Sequence, residues 1–317
     1  MKTMKRLSVR HILVYSVIFL LGISAGAAVQ KTFGMGNLLR AVGIPYPTAA
    51  SPPRPTAQPV VEIPPAERGN LSLFILAGQS NMVGWAPVAE GEEPDPRIYV
   101  FGNDYRWHLA SEPVDSAVNQ VDQVSLDRVA FFGPSMAFAR ESLAIQPQLL
   151  IGLIPCAKNS SSIIQWQRDL SDQSLYGSCL KRVMAASPMG KVSGILFFQG
   201  ESDAVDPGLS PDLNPNPQDW AELFTTFVTD LRTDLDEPDL PVVYAQLGST
   251  TSHEAFTNWE VVREEQFSVN LPMTTMITTE DLPTMDGLHF TRESYRVIGE
   301  RFARAYWDLI RSNNSTE

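Results

Sequence analysis

Residues 71–84 read Leu-Ser-Leu-Phe-Ile-Leu-Ala-Gly-Gln-Ser-Asn-Met-Val-Gly, and they constrain the fold more than any other part of the chain. Leu71 to Ala77 is an apolar run as long as one strand, closed by Gly78. A continuous apolar run bounded by glycine suits a strand buried on both faces at the centre of a parallel sheet. In such sheets ligands bind beyond the carboxyl ends of the strands. Ser80 stands at that point, at the predicted start of a helix. The free N–H groups there favour negative charge, including the charge that develops when a hydroxyl attacks a carbonyl. Serine is also an ordinary helix cap, so the choice between the two roles falls to the rest of the chain.

Further apolar runs predict strands at Ile98–Phe101, Leu149–Cys156, Val192–Phe198, Pro241–Leu247 and Met273–Thr278. Helices are predicted at Pro134–Leu143, Tyr176–Ala186, Asp219–Leu235 and Asn258–Val269, with a last one capped by Thr291 and running to about Arg311. Trp220, Leu223, Phe224, Phe227, Val228 and Leu231 recur at helical spacing, as do Tyr295, Ile298, Phe302, Tyr306 and Leu309. Residues 103–130 show no period and read as a long loop facing the substrate. Strands alternating with helices predict an α/β sandwich around a parallel sheet. Polar clusters then follow three strands: Gln79-Ser80-Asn81, Gln199-Gly200-Glu201 and Asp286 to His289. A parallel sheet brings all three to one edge.

Charge narrows the partners. The net charge is −12, yet the first 66 residues hold seven of the 24 Lys and Arg and one of the 36 acids, Glu62. The remainder is therefore strongly acidic, which argues against nucleic acid, whose phosphates call for a basic surface. A neutral substrate fits better. At the N-terminus, Lys2, Lys5, Arg6 and Arg10 precede the apolar stretch Ile12 to Leu21, and Ala25-Gly26-Ala27 offers a cleavage site. Residues 1–29 read as a signal peptide or as an uncleaved membrane anchor. Residues 12–29 would be about 27 Å long as a helix, enough to span. Either way the domain is expected outside the cytoplasm, with the basic flank inside. Residues 30–66 read as a linker. Eight prolines between Pro45 and Pro65 make its latter part an extended spacer. Cys156 and Cys179 suit one disulfide in an oxidising compartment, or two small buried apolar residues.

A serine nucleophile needs a base within hydrogen-bond reach and a group that orients the base. Of His108, His253 and His289, only His289 has an acid at loop-compatible spacing after a strand, namely Asp286 across Gly287. Asp-Gly is also a plain turn signal, and a histidine can be structural. Hydrolysis needs donors for the oxyanion as well. The Ser80 N–H, the Gly133 N–H ahead of a helix, and the Gln199 side-chain amide are the candidates. Glu201 reads either as a supporting acid that bonds the Ser80 or Gln199 loop, or as an alternative partner for His289. Gln79 and Asn81 flank the nucleophile as supporting polar groups. Asp203, Asp206 and Asp212 lack the regular spacing of a calcium loop, and no Cys/His cluster suggests zinc. No cofactor or metal is expected.

Three ordered blocks resemble those of the SGNH/GDSL hydrolase superfamily: Gly78-Gln79-Ser80-Asn81-Met82, Gln199-Gly200-Glu201-Ser202-Asp203 and Asp286-Gly287-Leu288-His289-Phe290. They are most similar to its sialate O-acetylesterase-type branch, which includes acetylxylan esterases of carbohydrate esterase family six. The resemblance spans about Leu71 to the C-terminus and places the domain at 67–317. It implies a three-layer, flavodoxin-like α/β/α sandwich. It also implies Ser80 as nucleophile, His289 as base, Asp286 as orienter, and Ser80, Gly133 and Gln199 as the oxyanion hole. The superfamily usually has Gly-Asp-Ser where this chain has Gly-Gln-Ser. The branch commonly has a Gly-Gly-Thr-Ser-like loop where this chain has residues 155–162 before Trp166. The expected activity is removal of O-acetyl groups from a carbohydrate. The alternatives are a general short-chain esterase, or a non-catalytic glycan-binding protein using the aromatic residues Trp85, Tyr105, Trp107 and Trp166.

Overall fold

The structure, a computed structural model, describes residues 58–88, 93–127, 129–210 and 216–314. The expected export segment and most of the Pro-rich linker lie outside the described residues. No helix among the described residues is long and apolar enough to cross a membrane.

Strand β1 (Leu71–Gly78) is the centre of a seven-stranded sheet, as its mainly apolar sequence predicts. It pairs in parallel with β4 (Ile151–Pro155) on one side and β5 (Gly190–Phe198) on the other. Beyond β5 lie β6 (Val242–Ala245) and β7 (Thr274–Ile277), also parallel. Beyond β4 lie β2 (Ile98–Phe101) and then β3 (Trp107–Leu109), giving the order β3-β2-β4-β1-β5-β6-β7. The five strands β4-β1-β5-β6-β7 reproduce the flavodoxin-like order 2-1-3-4-5. One short strand that the sequence did not reveal departs from the parallel pattern. β3 runs antiparallel to β2, because a short hairpin at residues 102–106 joins the two and needs no crossover.

Side chains of β1 alternate between two cores. Leu71, Leu73, Ile75 and Ala77 face helices α3 (Leu175–Ala186), α4 (Trp220–Asp234) and α5 (Trp259–Ser268). Phe74 and Leu76 face α1 (Ser80–Val83), α2 (Ser135–Ile145) and α6 (Arg292–Asn314). The result is the three-layer sandwich, with helix ends set by local chemistry. Ser174 caps α3 by accepting the Gly177 N–H at 2.8 Å, and Thr291 Oγ1 accepts the Ser294 N–H at 3.2 Å ahead of α6.

The boundary expected at residue 67 falls too late. The Val61 N–H donates to Trp107 O at 2.8 Å, Val60 bridges His108, and Ile63 is buried in the core. The Pro-rich composition hid this, because the last part of the spacer lies along the exposed edge of β3, where proline is tolerated.

The aperiodic stretch after β2 is ordered by polar side chains rather than by a repeat. Arg182 of α3 is almost fully buried. It donates to Asn103 Oδ1 at 2.6 Å, to Pro155 O, and to Asp122 Oδ2 at 2.7 Å. Lys158 donates to Leu126 O at 2.7 Å and pairs with Asp127 at 2.8 Å. One turn of helix from Arg182, Cys179 is bonded to Cys156 at the end of β4. The cysteines are thus a disulfide, which staples α3 to the sheet edge beside this network. Closing a loop across a separation of 23 residues stabilises by about 3 kcal/mol. Replacing both cysteines by alanine is expected to lower the melting temperature by roughly 6–12 °C for a domain of this size. Thermal unfolding of the variant, and of the native protein with reductant, reads this directly; unchanged melting in both would contradict it.

Candidate active site

The site starts from one close approach. Gly78 has φ +129°, and a Cβ there would stand 2.1 Å from Phe198 O. Only glycine permits this, since L side chains are strained at such φ and the space is occupied. The approach lets the Gln79 N–H donate to Phe198 O at 2.8 Å, so β1 and β5 end side by side. The chain then turns into α1 with Ser80 as its first residue. The Met82 and Val83 N–H groups bond to Gln79 O at 2.8 and 3.0 Å, while those of Ser80 and Asn81 have no intrahelical acceptor.

His289 arrives on the loop between β7 and α6. Thr284 bridges Phe290, and the Met285 N–H donates to His289 O at 2.7 Å, which makes the loop a tight hairpin. Gly287 turns it with φ +82°, at a place where a Cβ would stand 2.2 Å from Thr251 Oγ1. Asp286 performs two tasks. Its Oδ1 accepts the Leu288 and His289 N–H groups at 3.0 and 2.7 Å, and its Oδ2 lies 2.7 Å from His289 Nδ1. A carboxylate at Nδ1 places the ring proton there and leaves the Nε2 lone pair free. Nε2 lies 3.1 Å from Ser80 Oγ. Burial pulls the Asp286 carboxyl upward, but the His289 ring and the two backbone N–H groups outweigh it and hold the carboxyl below its ordinary value. A chain of hydrogen bonds of this kind can carry a proton from a hydroxyl to an imidazole.

The residues flanking Ser80 hold the neighbouring loops. Gln79 Oε1 accepts from the Gly200 and Ser202 N–H groups at 3.4 and 3.2 Å. Asn81 Nδ2 donates to Glu201 Oε1 and to Leu288 O, the latter at 3.2 Å, while its Oδ1 accepts from Tyr295 OH at 2.7 Å. The triplet 79–81 thus ties the loop after β5 to the loop that carries His289. Glu201 touches Asn81, and Asp286 occupies the His289 Nδ1 position.

Gln199 requires a correction. Its amide group donates to Ser161 O at 3.0 Å, to Gln79 Oε1 at 3.2 Å and to Asp203 Oδ2, and its oxygen accepts from Trp220 Nε1 at 2.9 Å. The side chain is fully buried in the interior and its donors are spent there, so it does not face an oxyanion. Gly133 packs against the end of α1, where a Cβ on it would meet Gly84 Cα at 3.0 Å. Asp203 also accepts the Ile163 N–H at 3.1 Å, Asp206 accepts from Gly208 and Thr257, and Asp212 lies outside the described residues. Among the described residues no group of three or more His, Cys, Asp or Glu is disposed to hold a metal ion.

Of the four aromatic residues expected to face a sugar, one lies against the site. Trp85 stacks on the His289 ring at 4.6 Å between centroids and 21° between planes. Trp166 is fully buried, with Nε1 donating to Ser161 Oγ at 3.1 Å, and Tyr105 and Trp107 pack on Phe101. Trp85 is marked in the sequence only as one of several aromatic candidates, and nothing there marks its stack on His289 or the Tyr295 bond to Asn81.

Glu201 is almost fully buried, and its Oε2 has no hydrogen-bond partner. Burial pushes its carboxyl above the ordinary 4.5; the Asn81 amide and His289 oppose this without cancelling it. The unfolded chain therefore releases this proton near pH 4.5 while the folded protein holds it to higher pH. In that window the folded state binds more protons, so stability falls as pH rises. Glu201→Gln removes that slope and keeps an oxygen for Asn81. Its amide hydrogens add a penalty that does not vary with pH. The melting temperature of the variant minus that of the native protein is expected to grow as the pH rises above 4.5; a constant difference would contradict the assignment.

Comparison with known proteins agrees with this architecture. Residues 70–308 match the family model described as carbohydrate esterase, sialic acid-specific acetylesterase. A protein of Arabidopsis thaliana named "Probable carbohydrate esterase" is 29% identical over 256 residues, covering 74% of this chain and 89% of its own. A crystal structure of an Arabidopsis thaliana protein superposes with a TM-score of 0.63 at 27% identity, over 76% of this chain and 98% of that one. A carbohydrate acetylesterase from Xanthomonas citri shares the fold, with a TM-score of 0.55 at 20% identity over 74% of this chain and 55% of that one. The match of the family model over most of the folded domain decides the assignment: the chain belongs to the sialic acid-specific acetylesterase family of carbohydrate esterases.

Proposed function

We propose that the protein is a serine esterase that removes O-acetyl groups from carbohydrates, with Ser80 as nucleophile, His289 as base and Asp286 as the group that orients it. The observation that carries this reading is the run of contacts from Asp286 Oδ2 to His289 Nδ1 at 2.7 Å and from His289 Nε2 to Ser80 Oγ at 3.1 Å. Ser80 Oγ attacks the acetyl carbonyl as its proton passes to His289 Nε2. The oxyanion is held by the Ser80 N–H and the Gly133 N–H. The ester bond to the sugar then breaks, and His289 returns the proton to the leaving sugar hydroxyl. Water, deprotonated by His289, attacks the acetyl-Ser80 ester and releases acetate and free serine. Asp286 stabilises the imidazolium formed in both halves.

The acyl group and the class of alcohol are inferred from the relatives, whose descriptions name a sialic acid-specific acetylesterase and a carbohydrate acetylesterase. The acidic surface suits a neutral acetylated glycan better than a polyanion. We also infer export from the cytoplasm, supported by the basic and then apolar N-terminus and by the Cys156–Cys179 disulfide. Recovery of the protein from the cytosol with both thiols reduced would contradict this.

The test is acetate release by the full-length protein from acetylated xylan, O-acetylated sialic acid and an aryl acetate, beside Ser80→Ala and Asp286→Asn. Ser80→Ala is expected to lower turnover on the order of 10⁴–10⁶-fold and Asp286→Asn about 10³–10⁴-fold. The ranking of the three substrates identifies the preferred alcohol. Undiminished release by folded Ser80→Ala would overturn the mechanism.

A further inference from the structure

A catalytic imidazole has to be held in three directions. Asp286 and Ser80 hold His289 at its two nitrogens. Those two bonds and the covalent bond to Cβ all lie in the ring plane, and none of them presses on its face. A contact on the ring face resists rocking out of that plane, and Trp85 makes that contact.

Trp85 is itself fixed from behind. Its ring meets the edge of Phe131 at 5.7 Å and 77°. Its backbone follows Gly84, whose carbonyl accepts the Phe131 N–H at 3.2 Å, and precedes Ala86, which exchanges hydrogen bonds with Phe132 at 2.8 and 3.2 Å. The indole is therefore braced between the nucleophile helix and the segment that leads to Gly133.

We propose that Trp85 is a positioning residue that holds the His289 imidazole in plane with Ser80 and Asp286 and favours its protonated form during proton transfer. This rests on the reading of Ser80 and His289 as nucleophile and base. The face of an indole is the negative pole of its quadrupole and attracts a cation stacked on it. Neutral imidazole gains far less from the same contact. The interaction is thus stronger when His289 carries the serine proton, which is the condition for it to lower a barrier. The other groups that bear on the ring are Asp286 at Nδ1, Ser80 at Nε2, and the Glu201 carboxyl, which acts on it electrostatically. From α6, the Tyr295 phenol bonds Asn81, while Arg292 and Arg296 lie over Phe132. A change at Trp85 leaves all of these in place.

The chain has four histidines, His11, His108, His253 and His289, so ring-labelled full-length protein gives a readable NMR titration, with His289→Ala to assign the signal. In Trp85→Leu the His289 midpoint is expected to fall by about 0.5 to 1 pH unit, a three- to tenfold change in the protonation equilibrium. Trp85→Phe should recover part of this. The acid limb of kcat/KM is expected to move with the midpoint while KM holds. An unchanged midpoint in Trp85→Leu, or in Trp85→Phe where the leucine variant does not fold, with the His108 and His253 signals as in the native protein, overturns the proposal. So does a kinetic loss confined to KM, which would make Trp85 a wall of the substrate site. Trp85→Phe keeps the test open if the leucine variant fails to fold. The titration is read without turnover, so its outcome is separate from that of the acetate-release assay.

Discussion

The contact between Gly78 and the end of β5 is the constraint on which the site depends. Two parallel strands finish level with each other because a residue without a Cβ lets the Gln79 N–H reach Phe198 O. Everything that follows is local. Gln79 reaches into the loop after β5, Asn81 reaches Glu201 and the carbonyl before His289, and Ser80 between them is left pointing at the imidazole. A side chain at position 78 would push the two strand ends apart and separate all three loops at once. The proposed nucleophile is therefore held by the main sheet of the protein, an arrangement that keeps neighbouring groups within a fraction of an ångström.

Buried polar networks occur at two places in the domain. One, around Arg182, closes a long irregular segment onto the sheet, next to the disulfide. The other, around Ser80, joins the loops that follow β5 and β7. Neither is fully satisfied: Arg182 Nε and Asp115 Oδ2 lack partners in the first, and Glu201 Oε2 lacks one in the second. Unsatisfied buried polar groups carry unfavourable free energy, and in the second network that group sits beside the proposed nucleophile.

Much of this was legible in the sequence, and the exceptions have identifiable causes. β1 and β5 declared themselves as mainly apolar runs followed by glycine and polar residues, so the convergence of their ends followed from the parallel sheet. Asp286 and His289 lie three apart across a glycine, and a single turn suffices to join their side chains. Gln199 could not be placed this way. Its direction is settled by Trp220 and Ser161, which lie on other elements and leave no mark near residue 199. β3 is three residues long and pairs only with the edge of β2, too short for a period to show. The start of the domain was masked because Val61 and Ile63 stand among prolines, although it is those two residues that dock. Trp166 and Trp85 look alike in sequence; one is core and the other stacks on an imidazole.

The central claim is that Ser80 carries the acyl group between substrate and water. The most direct measurement is mass spectrometry of the full-length protein, quenched in acid while it is turning over an acetylated sugar, and then cleaved into peptides. The account predicts that the peptide containing Ser80 gains the mass of one acetyl group. That adduct should be lost as substrate is exhausted, and it should be absent from Ser80→Ala. Release of acetate at the same rate with no acetyl group found on Ser80 at any time during turnover would contradict it.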